Sequence, residues 1–251
     1  LQVAQLLQPW GGMTPQQLVA QYPGGLGAAY LFWAVGSADA QADRVRARNL
    51  AQQLFLNSTR LGIPLTFVQE ALHGPGRNGT IFPMPINMGA SFNTSLVWQI
   101  HRVIAAGARA VGADRVFNPV INMFPDPRYG RLQEGYSEDP MLTSALAVAA
   151  LQGLQGGPGG PTEYLGNYTT DVVATVKHYA AYGMSAGGID GSPADLSEQK
   201  LRLIYLAPWK KLADQQLLRS VMAAQNMVNG YVRPRSSKSK KKEKKNKKNM
   251  K

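Results

Sequence analysis

Cysteine is absent from the 251 residues, and histidine occurs only three times, as His73, His101 and His178. The first absence excludes a disulfide framework, a Cys-based zinc site and a thiol nucleophile. The scarcity of histidine disfavours a His-rich metal site, so we expect neither a metal nor any other cofactor. No apolar run approaches the roughly 18 residues of a membrane span. The longest dense run, Ala28–Val35, has the length of a strand.

Charge is nearly balanced outside one segment. The chain has 27 Lys and Arg against 15 Asp and Glu, a net charge of +12. Residues 233–251 contain 11 of the basic residues and one acid, Glu243, so residues 1–232 carry only +2. We therefore expect a nearly neutral body without a specific nucleic-acid surface. Residues 231–251 are predicted to be a disordered Lys-rich tail, because they contain almost no apolar side chain to bury.

Apolar strand-like segments alternate with helical patterns between residues 28 and 224. This alternation is typical of parallel βα units. It favours an α/β fold of the (β/α) TIM-barrel type over a doubly wound sheet, because no G-x-G-x-x-G sequence follows the first strand. The predicted strands are Ala28–Val35, Pro64–Val68, Arg115–Ile121, Val172–His178 and Arg219–Ala224, and the main helices are Asp39–Arg60, Asn93–Val111 and one that begins at Pro140.

The helix over Asn93–Val111 has the clearest periodicity. Asn93 or Thr94 is suited to cap its first turn, as Asp139 is for the helix that begins at Pro140. The apolar residues predicted to form the buried face of the first helix are Leu96, Ile100, Val103, Ile104 and Val111.

Polar side chains follow three of the predicted strands, where the chemistry of a βα barrel lies. Glu70 follows the second strand, Arg128 and Arg131 follow the third, and Lys177–His178 ends the fourth. A carboxylate accepts hydrogen bonds from adjacent hydroxyls, while Lys, Arg and His donate them. Together these groups predict a site for a polyhydroxylated ligand. A solvated loop acid and structural ion pairs are the competing interpretations.

Ordered motifs carry a resemblance to a known family. The sequence resembles the N-terminal barrel domain of glycoside hydrolase family 3, the β-glucosidase and β-xylosidase type, over roughly Thr59 to Gly230. The resemblance implies a partial barrel domain over residues 1–230, incomplete at its C-terminal end. The matching stretches are Ser58–Pro64, Glu70–Gly74, Thr80–Pro83, Asp126–Arg131, Tyr136–Pro140, Val176–Gly183, Asp195–Glu198, Tyr205–Trp209, Val221–Asn226 and Asn229–Gly230.

The resemblance implies that the strand-end residues bind a sugar. Glu70 matches the acid that grips the hydroxyls of the non-reducing glycosyl unit, and Glu in place of the more frequent Asp favours the xylosidase-like or broad-specificity branch. The other substrate-binding residues that the resemblance implies are Arg128, Arg131, Lys177, His178 and Met222. The implied substrates are β-linked glucosides, xylosides and oligosaccharides.

The resemblance also implies an exo-acting, retaining hydrolase of O-glycosyl bonds, secreted or located in the cell wall. Four N-x-S/T sequons agree with a secretory route. In the family a catalytic aspartate follows the Asn-Gly motif, but here Tyr231 and the lysine tail follow Asn229–Gly230. We therefore expect no catalytic residue within this chain, with nucleophile and acid/base supplied from outside it.

Two alternatives stay open beside the hydrolase fragment. One is a catalytically inactive truncated product or sugar-binding remnant. The other is a role for the Lys-rich tail in polyanion binding or nuclear targeting. The competing explanation for the tail is translation from the wrong reading frame or from an intron. The sequence therefore leaves open whether the chain itself is an enzyme.

Overall fold

A computed structural model of the chain describes residues 13–30, 41–75, 79–156 and 169–231. The predicted tail lies outside the described residues, apart from Tyr231. Helices and strands alternate as the sequence predicts. The helices are α1 (Pro15–Gln21), α2 (Gln41–Ser58), α3 (Pro85–Ala90), α4 (Thr94–Ala110), α5 (Pro140–Gln155), α6 (Glu198–Lys200) and α7 (Ala207–Asp214); the strands are β1 (Ala28–Tyr30), β2 (Thr66–Gln69), β3 (Arg115–Val116), β4 (Val173–Tyr179) and β5 (Ser220–Ala223).

The five strands form one parallel sheet in chain order, β1-β2-β3-β4-β5. Neighbouring parallel strands need a crossover between them, and helices supply it here. A sheet wound in chain order with helices in every crossover is the arrangement of a (β/α) barrel. The fold is thus part of an α/β TIM-type barrel, and all strands end at the same edge of the sheet.

The third strand is shorter than predicted. Regular pairing stops at Val116, and the chain then passes through the cis peptide bond Asn118–Pro119. Proline has no N–H to give to a neighbouring strand. Pairing resumes when Val120 bridges to Lys177 and Ile121 N–H donates to the Lys177 carbonyl at 2.9 Å. The interruption leaves a loop, and not a strand, beside the end of β4.

Side chains of the sheet alternate between two apolar layers. Ala29 and Phe67 belong to the large core between sheet and helices, whereas the neighbouring Ala28 and Val68 join a smaller cluster with Phe117 on the inner face. Strand side chains point alternately to the two faces, so burial on both sides explains the nearly continuous apolar sequences. The inner cluster lies where a barrel interior would be.

Helix α4 begins as predicted, but the face that it buries differs from the predicted one. The Asn93 side chain accepts from Leu96 N–H at 2.9 Å. Leu96 and Val103 are exposed, so their predicted burial is wrong. The buried stripe includes a polar residue, His101, whose Nδ1 lies 2.7 Å from the Val97 carbonyl, and small alanines that a search for large apolar residues overlooks. The buried residues are Val97, Ile100, His101, Ile104, Ala105 and Ala108.

The loop before α5 is held against α3. Asp139 caps α5 by accepting from Leu142 N–H at 2.6 Å, with Pro140 at the first helical position, as predicted. Just upstream, the carbonyl of Tyr136 lies directly against Gly89 in α3, so closely that a Cβ at this glycine would overlap the carbonyl. This contact fixes the segment that carries the candidate arginines.

Replacing Gly89 by alanine is expected to destabilise the fold. The new methyl group would meet backbone atoms of Tyr136 rather than a movable side chain, and overpacking costs about 1–3 kcal/mol. Gly24→Ala is the matched control, because nothing lies within 4 Å of its added Cβ; its effect should stay within about 0.5 kcal/mol. Urea unfolding of both variants measures the difference, and equal midpoints would contradict the contact.

Candidate active site

An ion pair crosses the sheet edge from β2 to β4. Lys177 Nζ donates to both carboxylate oxygens of Glu70, at 2.9 and 2.7 Å. The two residues are 107 positions apart in the chain and lie on either side of β3. Lys177 is only 3% exposed, whereas the Glu70 side chain is 41% exposed. The pair therefore presents a carboxylate to solvent while its cation lies beneath.

Aromatic side chains line the inner wall beside this pair. Tyr30 and Phe117 stack with ring centroids 5.7 Å apart, and Lys177 Nζ lies 6.0 Å from the Phe117 centroid. Met222, paired in register with Lys177, is partly buried against the same cluster. Burial and the Glu70 charge raise the pKa of Tyr30 to about 12, so its hydroxyl stays protonated. Tyr30 was not among the residues that the sequence predicts for the site.

Arg131 is fixed by a carboxylate one turn away. Its Nε and Nη2 each donate to Glu134 at 2.8 Å, a bidentate pair that the short 3₁₀ turn Leu132–Glu134 makes possible. The guanidinium also lies 5.5 Å from the centroid of the Tyr182 ring. On its other side, Nη2 approaches His178 Nε2 at 3.3 Å. Arg131 thus reaches the end of β4, as its position in the sequence predicts.

His178 is buried and neutral. Its backbone N–H donates to Asn122 Oδ1 at 3.1 Å, and its Nδ1 lies 3.1 Å from Asn122 Nδ2. Burial, together with the positive charges of Arg131 and Lys177, lowers the pKa of His178 to about 3, although Asp190 opposes the shift. The imidazole therefore offers one donor and one acceptor at neutral pH.

A second group of contacts, centred on the Asp190 carboxylate, lies against the ring of His178. The buried Tyr129 donates its hydroxyl to Asp190 Oδ1 at 2.8 Å. Tyr182 packs its ring 4.8 Å from His178, and burial together with the nearby Asp190 carboxylate raises the pKa of its hydroxyl. Burial opposes ionisation of Asp190, but the two tyrosine hydroxyls and Arg131 lower its pKa below the ordinary value.

We call the group Glu70, Arg131, Lys177 and His178 the cup. The structure brings these four predicted residues together and sets Met222 at their inner side. Arg128, by contrast, is exposed, and among the described residues its side chain hydrogen-bonds only Asp126, at 2.7–3.2 Å. These hydrogen bonds lower the pKa of Asp126 to about 2. A pocket role for Arg128 stays a prediction.

Besides Tyr30, three residues at the site are not among those predicted from the sequence: Asn122, Tyr182 and Asp190. Tyr182 lies inside a motif that carries the family resemblance, Val176–Gly183, so its position after β4 was an available signal. Asn122 directly follows the predicted third strand, Arg115–Ile121, so its position at a strand end was also an available signal. Asp190 lies in the loop sequence Gly-Gly-Ile-Asp-Gly-Ser, where no pattern marks it.

Two further features concern ligands and membranes. Within residues 13–30, 41–75, 79–156 and 169–231, no cluster of three or more His, Asp or Glu side chains is arranged to hold a metal ion. Across the same ranges, every helix is too short or too polar to cross a bilayer.

Comparison with known proteins identifies the family. Residues 1–244 match the Glycosyl hydrolase family 3 N terminal domain, and the chain belongs to this family. It is 35% identical over 178 residues to a β-xylosidase of Formosa agariphila and 34% identical over 196 residues to the periplasmic β-glucosidase of Salmonella typhimurium. These alignments cover 68% and 78% of this chain but 24% of each relative. The chain spans about a quarter of their length.

Solved structures agree with the fold. The exo-1,3/1,4-β-glucanase of a Pseudoalteromonas species superimposes with a TM-score of 0.80 at 30% identity, over 92% of this chain and 29% of that one. A β-glucosidase from Erythrobacter marinus gives 0.77 at 31% identity, over 87% and 28% of the two chains. The resemblance read from the motifs and the predicted α/β barrel class are thereby confirmed.

Breaking the Glu70–Lys177 pair is expected to have unequal effects from its two ends. Glu70→Gln leaves a buried ammonium without its counter-charge and should cost about 1–3 kcal/mol of unfolding free energy. Lys177→Met should cost less, because it removes the buried charge and leaves a carboxylate that water can reach. Lys210→Met, at an exposed pair with Asp214, is the control and should change stability by less than about 0.5 kcal/mol. Urea unfolding at pH 7 decides, and a larger loss for Lys177→Met would contradict this ordering.

Stability is expected to fall as the solution is acidified from pH 6.5. Burial lowers the pKa of His101 to about 4, and that of His178 is about 3, both below the ordinary 6.5. Their neutral forms therefore contribute stability above pH 6.5 that is lost towards those pKa values, at up to about 1.4 kcal/mol per pH unit each. Urea unfolding between pH 7 and 5 measures this slope. His178→Gln should make it shallower, and an unchanged slope would contradict a neutral buried His178.

Proposed function

We propose that the cup binds the non-reducing glycosyl unit of β-linked glucosides, xylosides and their oligosaccharides. In this proposal the chain contributes the sugar-binding part of the active site of an exo-acting, retaining hydrolase of O-glycosyl bonds. The observation that carries it is the Glu70 carboxylate, held open to solvent by Lys177 beside Arg131 and His178. Family membership supports the reaction class, and the names of the relatives support the substrate class.

The geometry of the cup suits vicinal hydroxyls. Each Glu70 oxygen has lone pairs beyond the one used by Lys177, so the two oxygens can accept from two adjacent sugar hydroxyls. Arg131 and His178 offer donors on the neighbouring side. The stacked rings of Tyr30 and Phe117 provide an apolar wall for the C–H groups of a pyranose. Polar groups of both kinds beside an apolar wall are the usual composition of a small-ligand site.

The described carboxylates suit binding better than covalent catalysis. Retaining hydrolysis needs one carboxylate that attacks and one carboxylic acid that gives a proton, about 5–5.5 Å apart. Near the cup, Glu70 accepts from Lys177, Glu134 from Arg131, and Asp190 from Tyr129. The lowered pKa of Asp190 makes it a poor acid. We therefore assign none of the three a catalytic role.

We also propose an extracellular or cell-wall location, with a periplasmic one as its bacterial counterpart. The support is the Salmonella relative, whose name places that protein in the periplasm. Of the four sequon asparagines, Asn57 and Asn93 are exposed, while the other two lie outside the described residues. The domain boundary at residue 230 stays a prediction, as does the disorder of the tail.

Sugar binding can be tested on the chain as it is. Titration with glucose and with xylose, followed by calorimetry, should give binding that Glu70→Gln weakens at least tenfold, because a charge-assisted hydrogen bond contributes about 1.5–3 kcal/mol. The control Lys210→Met should bind like the parent chain. Equal affinities for parent and Glu70→Gln would contradict the proposal. So would turnover of aryl β-glycosides that survives both Glu70→Gln and Lys177→Ala.

A further inference from the structure

The amide of Asn122 meets His178 at two places. Its Oδ1 accepts from the His178 backbone N–H at 3.1 Å. Because a backbone N–H can only donate, this contact fixes which end of the amide is the oxygen. The other end, Nδ2, then lies against His178 Nδ1, also at 3.1 Å. Asn122 is 6% exposed, so both contacts are protected from water.

The orientation of the amide determines the proton position on the ring. An amide nitrogen has two donors and no acceptor, so Nδ1 must supply the lone pair. A neutral imidazole with its lone pair on Nδ1 carries its proton on Nε2. The low pKa of His178, caused first by burial, agrees with a neutral ring. A doubly protonated ring would also oppose a donor to Nδ2.

The opposite tautomer creates a conflict that the site has no means to relieve. With the proton on Nδ1, two N–H groups would face each other at 3.1 Å inside the protein. Turning the Asn122 amide over would only move the conflict to the His178 backbone N–H. Burying unpaired donors costs about 1–3 kcal/mol each. The tautomer with the proton on Nε2 avoids both conflicts.

That tautomer changes the meaning of the contact between His178 and Arg131. Nε2 and Nη2 are 3.3 Å apart, and both now carry hydrogens. The contact is therefore between two donors rather than a hydrogen bond. Arg131 keeps its bidentate pair with Glu134, and its side chain is 30% exposed, so an oxygen from solvent or from a ligand can enter beside the two donors. An acceptor oxygen at about 2.8–3.0 Å from each nitrogen would accept from both.

We propose that Asn122 is a positioning residue that holds His178 in the Nε2–H tautomer, so that His178 and Arg131 donate together to one ligand oxygen. The identity of that oxygen as a sugar hydroxyl or ring oxygen rests on the proposed function. The tautomer itself rests only on contacts within the protein.

The other two histidines provide an internal contrast. His73 Nδ1 and His101 Nδ1 each lie 2.7 Å from a backbone carbonyl, of Phe82 and Val97. A carbonyl only accepts, so both rings must carry the proton on Nδ1. The chain therefore contains two Nδ1–H histidines and one expected Nε2–H histidine, which long-range ¹H–¹⁵N correlation spectra of the imidazole rings distinguish.

The experiment uses the full chain labelled with ¹⁵N at pH 7, with His178→Gln to assign the His178 signals. The expected result is an Nε2–H pattern for His178 and Nδ1–H patterns for His73 and His101. Asn122→Asp should convert His178 to the Nδ1–H pattern, because a carboxylate accepts from Nδ1. An Nδ1–H pattern for His178 in the parent chain would overturn the proposal, and so would a folded Asn122→Asp protein that keeps the Nε2–H pattern.

Should Asn122→Asp fail to fold, the parent spectrum still decides the tautomer, and Asn122→Ser takes its place as the variant. The serine side chain is shorter, and no second contact holds its hydroxyl against His178 Nδ1. Signals of both tautomers are therefore expected. Glucose added to the parent chain separates this proposal from the proposed function. An Nε2–H pattern that glucose leaves unmoved supports the tautomer and contradicts the sugar site.

Discussion

The buried ammonium of Lys177 is the group on which the rest of the site depends. A cation in an apolar interior needs a counter-charge, and only Glu70, reached across β3, supplies one at hydrogen-bond distance among the described residues. That requirement fixes the spacing of β2 and β4 at their ends. It also orients the Glu70 oxygens outward and sets a positive charge beside His178. The main effect of the pair is therefore to position the side chains of the site, rather than to stabilise the fold.

Around this pair, protein donors and acceptors are matched almost completely. Glu134 pairs with Arg131, Asp190 accepts from the Tyr129 hydroxyl, and the Asn122 amide contacts both the backbone N–H and Nδ1 of His178. The groups of the cup that stay available to a ligand are the free lone pairs of Glu70 and the donors of His178 and Arg131. A ligand with both acceptor and donor atoms at adjacent positions can bind to these groups, and a polyol has such atoms. The cup is pre-organised because its supporting contacts are already made.

Much of this arrangement could be predicted from sequence, because strand ends in a βα fold share one edge. Position at a strand end points to Glu70, Arg131, Lys177 and His178, together with Arg128, and the family resemblance implies their role in sugar binding; the chemistry of helix caps predicts Asp139 and Asn93. Asn122 directly follows the predicted strand Arg115–Ile121, but a single neutral amide is a weaker signal than the charged side chains at the other strand ends, and the effect of Pro119 on pairing depends on the partner strand. Leu96 and Val103 were misplaced because alanines and a hydrogen-bonded histidine occupy the buried face of α4. Asp190 accepts from Tyr129, which is 61 positions away, and no local pattern encodes such a contact.

The separation of the cup residues along the chain links recognition to folding. Glu70 and Lys177 meet across 107 positions, and Asn122 and His178 across 56. Contacts of this range require the βα units between the two residues to be in place, so the cup exists only in chains whose sheet has formed. An unfolded or half-folded chain then lacks the arrangement of groups that a ligand of the cup would contact. Any ligand that binds the cup consequently stabilises the folded state, so the melting temperature rises with the ligand concentration. The fraction of chains that bind such a ligand also reports the fraction whose sheet is complete.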